Sequence, residues 1–132
     1  MTPTKMLLLV EDETLVRHDL KEGLVGAGFD VIDLAQGEKA LSEIKADPSR
    51  ISGLITDINL GRGPDGWEIA RRARELIPAL PVVYMSGHGA VDWPSKGVPN
   101  SLILTKPFAT AQLITAISTL LLEADTHKAQ GG

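Results

Sequence analysis

The chain has 132 residues, of which 43% are hydrophobic and 23% are charged, and this length suits one compact domain rather than two. Its formal net charge of −4 disfavours binding to nucleic acid or to an anionic membrane, because both need clustered Lys and Arg. The absence of cysteine excludes disulfides and thiolate metal sites. The apolar run Met6–Val10 is too short for a signal core or a membrane span, so we expect a cytoplasmic protein.

The first third of the chain predicts a strand, a helix, a second strand and a second helix. Met6–Val10 is continuously apolar, as in a parallel strand that is covered on both faces. The helix that follows has its apolar residues at helical spacing, at Val16, Leu20, Leu24 and Ala27. Phe29–Leu34 alternates apolar residues with acids, which suits a half-exposed edge strand. Gly37–Ala46 then predicts the second helix.

The middle of the chain continues the same alternation. Gly53–Thr56 predicts the third strand, and a loop rich in Gly and Pro follows over Gly61–Gly66. The third helix is indicated by an apolar stripe at Ile69, Ala70, Ala73, Leu76 and Ile77. Pro81–Met85 predicts the fourth strand.

The pattern weakens over residues 87–100, where an alternating fold would place its fourth helix. Residues that disfavour a helix interior recur there, at Gly87, Gly89, Pro94, Gly97 and Pro99. We therefore predict a short turn around Ala90–Trp93 in an otherwise irregular segment. Leu102–Thr105 predicts the fifth strand, and Thr110–Leu122 predicts the last helix.

Alternating strands and helices predict a doubly wound α/β fold, in which helices cover both faces of a five-stranded parallel sheet. The strand order expected for this fold is 2-1-3-4-5. We expect one domain over residues 1–132, with a core over about 5–123 and a flexible tail over 124–132.

Reactive side chains follow four of the five predicted strands. The acidic pair Glu11 and Asp12 comes after the first strand, and Asp57, Ser86 and Lys106 come after the third, fourth and fifth. Because the carboxyl ends of parallel strands meet at one edge of a sheet, we expect these groups to line one crevice. A carboxylate can attack phosphorus and form an acyl phosphate, so the set predicts a phosphoryl acceptor with Asp57 as its nucleophile.

The other side chains have types that suit this chemistry. A divalent cation, Mg²⁺ or Mn²⁺, would offset the repulsion between Asp57 and a phosphoryl group, with Asp12 as a direct ligand and Glu11 acting through water. Lys106 can neutralise a phosphoryl oxygen, while the Ser86 hydroxyl and the Gly87 N–H can donate to others. Pro107 restrains the turn after Lys106, and the sequence leaves its peptide isomer open.

Five ordered motifs resemble the response-regulator receiver domain of two-component signalling, which is CheY-like in size, over about Lys5 to Glu123. The motifs are Val-Glu-Asp at 10–12, Thr-Asp at 56–57, Asp-Gly at 65–66, Met-Ser-Gly at 85–87 and Lys-Pro-Phe at 106–108. The resemblance implies that Asp57 is phosphorylated by the phosphohistidine of a sensor histidine kinase or histidine phosphotransfer protein. It also implies self-catalysed dephosphorylation, no turnover of a separate substrate, and signalling by contacts with a downstream protein.

The resemblance assigns further roles around Asp57. It implies that Asp57 and the Asn59 backbone carbonyl complete the metal site, and that Asn59 and His88 flank the water that attacks the acyl phosphate. Ile103 stands where many receivers carry a switching Tyr or Phe, so we expect a different coupling between the Ser86 hydroxyl and the surface.

Alternative functions fit parts of the pattern. Alone, Asp57 and Lys106 would be read as solvated surface groups and Ser86 as a turn residue. Glu11 and Asp12 alone would be read as the start of a helix, so it is the set that predicts chemistry. A haloacid-dehalogenase-type phosphatase resembles an Asp-x-Asp pattern, but Asn59 stands at its second position. A flavodoxin-like cofactor carrier needs a phosphate loop after the first strand, where this chain has acids. A degenerate receiver that acts as a phosphorylation-independent binding module stays open because of Ile103. The kinase, the target, the phosphate lifetime and the oligomeric state are not fixed by the sequence.

Overall fold

The computed structural model describes residues 4–88 and 91–131, with side chains described as far as residue 126. Strands and helices alternate through this part of the chain, with one 3-10 turn at Pro48–Arg50. The strands are β1 (Met6–Val10), β2 (Asp30–Leu34), β3 (Gly53–Asp57), β4 (Val82–Ser86) and β5 (Ser101–Thr105). The helices are α1 (Thr14–Gly26), α2 (Gly37–Ala46), α3 (Gly66–Leu76), α4 (Trp93–Lys96) and α5 (Thr110–Gly131).

The five strands form one parallel sheet in the order β2-β1-β3-β4-β5, which confirms the predicted fold. The three central strands are mainly apolar, with polar residues at the carboxyl ends of β3 and β4, and all residues of β3 and β4 are buried. The two edge strands, β2 and β5, have a weaker apolar pattern. In β2 the acids Asp30 and Asp33 interrupt the run, and β5 is only half-buried at Leu102, Ile103 and Leu104.

Alternate residues of each central strand supply two separate cores, one on each face of the sheet. Leu8 and Val10 of β1 belong to the core that α2 and α3 cover, while Leu7 and Leu9 belong to the core that α1 and α5 cover. Leu113 and Ile117 of α5 are fully buried in the second core, as the predicted stripe required. Both faces of the sheet are thus closed, and its carboxyl edge remains as the place for polar groups.

The fourth helix is short, as expected, but lies later in the chain than the predicted turn around 90–93. It spans Trp93–Lys96 and carries Pro94 in its first turn. The prediction treated Pro94 as a residue that breaks a helix, yet proline is tolerated in the first turn because its missing N–H has no partner there in any case. Gly89 and Ala90 lie outside the described residues.

The last helix continues to Gly131, beyond the predicted core boundary at residue 123. At the start of its extension, the Asp125 carboxylate pairs with Lys5 at 3.2 Å. The flexibility of residues 124–132 stays a prediction. Among the described residues, no helix has the length and hydropathy that crossing a bilayer requires.

Candidate functional site

The predicted crevice exists at the carboxyl edge of the sheet, where four strands end next to one another. Glu11 follows β1, Asp57 and Ser86 are the last residues of β3 and β4, and Lys106 follows β5. Main-chain bonds tie the strand ends together, because Glu11 N donates to Leu34 O at 3.0 Å and Lys106 N donates to Ser86 O at 2.8 Å. The parallel register therefore converts residues far apart in sequence into neighbours.

Three carboxylates form an acidic cluster on the β1 and β3 side of this crevice. One oxygen from each of Glu11, Asp12 and Asp57 lies within 4.8 Å of the other two. Glu11 and Asp57 are buried, with 0% and 7% of their surface exposed, whereas Asp12 is open to solvent. Carboxylate oxygens at this spacing are the donors that Mg²⁺ and similar hard cations prefer, so the residues present fit the implied metal.

Glu11 is held at both ends of its carboxylate. Its Oε1 accepts from Lys106 Nζ at 2.7 Å, and its Oε2 accepts from the Glu13 N–H at 3.0 Å. Burial raises the pKa of the Glu11 carboxyl, and the nearby charge of Asp57 adds to this, although the hydrogen bonds from Lys106 and Glu13 act in the opposite direction. Because both of its oxygens are engaged inside the protein, Glu11 suits the predicted role through water better than direct ligation.

Lys106 bridges two members of the acidic cluster. Its ammonium lies 2.7 Å from Glu11 Oε1 and 3.1 Å from Asp57 Oδ2. Partial burial works to lower the pKa of Lys106, but the hydrogen bonds to Glu11 and Asp57 and the negative charges of these two carboxylates together outweigh it, and the pKa is raised. The side chain is therefore a stable cation beside the candidate nucleophile. The peptide bond from Lys106 to Pro107 is cis, which answers the question that the sequence left open.

Ser86 ends β4 at the rim of the crevice and is almost fully buried, at 1% exposure. Its Oγ accepts from the His88 backbone N–H at 3.0 Å, so it helps to shape the turn Ser86-Gly87-His88. Gly87 and His88 follow Ser86 directly and are exposed. The phosphoryl contacts expected of Ser86 and Gly87, and the water-flanking role expected of His88, stay predictions.

The β3–α3 loop carries Asn59 past the acidic cluster. Asn59 is exposed, and the path after it depends on Gly61 and Gly63, whose φ values of 75° and 82° lie in the left-handed region that favours glycine. The loop ends at Asp65, whose carboxylate caps α3 by accepting from the Glu68 N–H at 2.9 Å. The metal ligation expected of the Asn59 carbonyl stays a prediction.

Ile103 and Pro107 complete the predicted set. Ile103 is half-buried in β5 and packs against the core that contains Tyr84 and Trp67. Pro107 is exposed directly after Lys106. Neither residue contributes a polar side-chain atom to the crevice, so their expected modulatory roles would have to act through packing and backbone position.

Two side chains that hydrogen-bond the main chain of the crevice were not predicted from the sequence. The Arg17 guanidinium donates to the Glu11 carbonyl at 2.8 Å and also lies 3.3 Å from Asp33 of β2. The Thr56 hydroxyl donates to the Asp57 carbonyl at 2.8 Å. Thr56 was part of a recognised motif, but a threonine in an apolar strand gives no signal that its hydroxyl bonds to a particular peptide.

Comparisons with known proteins cover nearly the whole chain. A family model described as the response regulator receiver domain matches residues 7–118. The response regulator receiver protein CpdR of Brucella abortus is 34% identical over 122 residues, which cover 91% of this chain and 99% of CpdR. A crystal structure of a response regulator receiver protein from Sinorhizobium medicae has a TM-score of 0.88 at 46% identity, covering 92% of this chain and 97% of that chain.

A further relative is the sensor kinase CckA of Brucella abortus, which is 29% identical over 122 residues. The match covers 90% of this chain but 13% of that kinase. The matched residues of the family model include every strand end that lines the crevice. The similarity therefore includes the candidate site as well as the fold.

Proposed function

Because this chain belongs to the response regulator receiver domain family, we propose that it accepts a phosphoryl group on Asp57 and transmits a signal through contacts with another protein. One observation carries the proposal: the Asp57 carboxylate is a member of the acidic cluster and also contacts the ammonium of Lys106, which is 3.1 Å from its Oδ2. The candidate nucleophile thus has neighbouring carboxylates that suit a divalent cation and a neighbouring cation that suits phosphoryl oxygens.

The transfer that we propose conserves atoms and charge. An oxygen of Asp57 attacks the phosphorus of a phosphohistidine, a P–O bond forms, and the P–N bond breaks with its electron pair remaining on the imidazole. Lys106 stays protonated and moves its hydrogen bond toward a phosphoryl oxygen, while Ser86 and the Gly87 N–H donate to the others. A divalent cation held by Asp12, Asp57 and the Asn59 carbonyl, with Glu11 acting through water, would neutralise the charge between the two reacting anions.

Loss of the phosphoryl group returns the carboxylate. Water attacks the phosphorus beside Asn59 and His88, the P–O bond to Asp57 breaks, and inorganic phosphate leaves. The reaction is confined to the chain's own aspartate, so we propose a self-modifying signal protein and not an enzyme that turns over a separate substrate. The phosphodonor that we propose is a sensor histidine kinase or a histidine phosphotransfer protein. Such a donor would place this chain in the cytoplasm.

The test is labelling with radioactive acetyl phosphate in the presence of Mg²⁺. Wild type should incorporate acid-stable but base-labile label, as an acyl phosphate does, and Asp57→Asn should incorporate none. Asp19→Asn is the matched control, because Asp19 is an exposed carboxylate of α1 outside the crevice. Equal labelling of wild type and Asp57→Asn would overturn the assignment.

A second candidate is a binding module that works without phosphorylation, and Ile103 is the observation that favours it. A half-buried aliphatic side chain at this position of β5 has no hydroxyl or ring that could report on the Ser86 hydroxyl. An unlabelled wild type that still binds its partner in the absence of any phosphodonor would select this alternative over the first.

A further inference from the structure

Thr56 places a hydroxyl inside the apolar core, one residue before Asp57. It is fully buried, at 0% exposure, and its register partners are Val10 of β1 and Tyr84 of β4, which both belong to the α2 and α3 core. A buried hydroxyl costs free energy unless it is hydrogen-bonded. The Thr56 Oγ1 meets this need by donating to the Asp57 carbonyl at 2.8 Å.

The Asp57 carbonyl needs such a donor because of its place in the sheet. The register of β1 with β3 ends at the pair Val10 and Thr56, so Asp57 lies one residue past the last pair. A buried carbonyl at that point has to be satisfied by something other than the β1 ladder. The Thr56 hydroxyl supplies the bond and, in doing so, fixes the orientation of the peptide that joins Asp57 to Ile58.

Gly66 packs closely against this peptide from the side of α3, because a Cβ at Gly66 would meet the Asp57 carbonyl oxygen and lie 2.8 Å from Ile58 Cα. The Gly66 N–H donates to the Ile58 carbonyl at 2.8 Å, which belongs to the next peptide, between Ile58 and Asn59. The Ile58 N–H in turn donates to the Met85 carbonyl at 3.1 Å. Contacts with Thr56, Gly66 and Met85 therefore surround one peptide unit, directly behind the candidate nucleophile.

We propose that Thr56 is a positioning residue, whose hydroxyl fixes the Asp57–Ile58 peptide and thereby directs the Asp57 carboxylate toward Lys106 and the acidic cluster. The inference rests on the proposed function of Asp57. A rotation of this peptide changes the direction in which Asp57 projects and the path of the chain toward Asn59. Loss of a group that orients a metal ligand costs about 10- to 100-fold in metal affinity, and Thr56 would act in this way through the main chain of Asp57.

The test compares three variants with wild type. Thr56→Val removes the hydroxyl at nearly constant shape, Thr56→Ser keeps the hydroxyl, and Ile44→Val perturbs the same core from α2 without changing a polar group. Mg²⁺ affinity is measured by calorimetry, and the rate of acetyl phosphate labelling is measured separately. Thr56→Val should bind Mg²⁺ about tenfold more weakly and label more slowly, while Thr56→Ser and Ile44→Val should stay within about twofold of wild type.

Two results would overturn the inference. One is a Thr56→Val variant with the Mg²⁺ affinity and labelling rate of wild type, and the other is a Thr56→Ser variant as impaired as Thr56→Val. Should the valine variant fail to fold, Thr56→Ala replaces it, since alanine also removes the hydroxyl. The Mg²⁺ comparison separates this inference from the proposed function, because an unlabelled wild type would refute phosphoryl acceptance while the calorimetry still decides the role of Thr56.

Discussion

Among single residues, Lys106 shows how closely stability and chemistry are joined in this crevice. Its ammonium satisfies Glu11, which is completely buried, and at the same time contacts Asp57. A phosphoryl acceptor needs the second contact, whereas the folded state needs the first, because an unpaired buried carboxylate is costly. Substitution of Lys106 should therefore affect both properties.

We expect Lys106→Met to lower the free energy of unfolding by about 2 kcal/mol, the cost of leaving the buried Glu11 carboxylate without its cation. Urea denaturation measures this change. The double variant Lys106→Met with Glu11→Gln should regain much of the lost stability, because the uncompensated charge of Glu11 is gone. Lys5→Met is the control, since the pair of Lys5 with Asp125 is exposed and should contribute less than about 1 kcal/mol. Equal losses for Lys106→Met and Lys5→Met would contradict the reasoning.

Asp33 gives a prediction about pH at the β2 edge of the crevice. Hydrogen bonding to Lys21 is the main cause that lowers the pKa of Asp33 from 3.8, and Arg17 adds to it, while burial acts against both. A carboxyl whose pKa is lower in the folded state stabilises the fold above its unfolded pKa, and this stability is lost as the pH falls through the folded pKa. Asp33→Asn should thus have a lower free energy of unfolding than wild type at pH 7. This difference should shrink as the pH falls below 3.8 and through the lower pKa of the folded state.

Urea denaturation of wild type and Asp33→Asn at pH 7 and at pH 3 checks this dependence. Asp19→Asn, at an exposed position of α1 without an ion pair in the described part of the chain, should show little difference at either pH. A stability difference for Asp33→Asn that persists unchanged at low pH would refute the electrostatic explanation.

Among the secondary-structure elements, α4 differs most from a regular alternating fold. It is a single turn over Trp93–Lys96, and it is attached to the sheet by side-chain bonds. Trp93 Nε1 donates to the Ser101 hydroxyl at 2.9 Å, and that hydroxyl donates to the Val98 carbonyl at 2.6 Å. The Val98 N–H donates to the hydroxyl of Tyr84 in β4 at 3.0 Å. This short helix is thus anchored by polar contacts to two strands, in addition to the packing of Trp93 against the core that α2 and α3 cover.

Gly97 tests this anchoring, because a Cβ there would lie 2.7 Å from Trp93 Nε1. Gly97→Ala should displace the indole, break its bond to Ser101, and shift the Trp93 emission toward that of a solvated tryptophan. Trp67 is buried in the core, and its contribution to the fluorescence emission should not change. Gly26→Ala is the control, since a Cβ at Gly26 meets nothing within 4 Å. Identical emission spectra for Gly97→Ala and wild type would show that Trp93 is not held in this way.

At the scale of the whole molecule, the sequence was sufficient for the architecture because apolar runs and polar ends coincide with strands and strand ends. Val10 followed by Glu11, and Thr105 followed by Lys106, mark the edge of the sheet without any knowledge of tertiary contacts. The details that escaped prediction depend on side-chain direction. Spacing along the chain brings Lys106 to the crevice, but it does not say that its ammonium pairs with Glu11 as well as Asp57.

The end of α5 escaped prediction for another reason. Beyond Leu122 the polar residues Glu123, Asp125 and Thr126 interrupt the apolar stripe, and the periodicity that indicates a helix disappears. Helical backbone nevertheless continues to Gly131. Propagation from an established helix needs no buried face, which is why a pattern of burial underestimates its length.

Binding of Mg²⁺ should stabilise the folded chain as a whole, because the three carboxylates of the acidic cluster come together only when β1 and β3 are adjacent in the folded state. At a Mg²⁺ concentration 100 times its dissociation constant, the expected gain is about 2.7 kcal/mol. Thermal denaturation with and without Mg²⁺ measures it. Asp12→Asn should reduce the gain, and Asp19→Asn should keep it. A gain of equal size in Asp12→Asn would place the ion elsewhere.

The pairing of Lys106 with the acidic cluster also determines the net charge of the crevice. Three ionised carboxylates and one ammonium leave a formal charge of −2, since −3 and +1 sum to −2. One divalent cation cancels that charge completely, so the resting crevice would exert little long-range field on an approaching anion. The proposed conversion of Asp57 to its acyl phosphate would then add one negative charge that the cation and Lys106 do not offset, and this added charge would make the modified surface electrostatically distinct to a protein that approaches it.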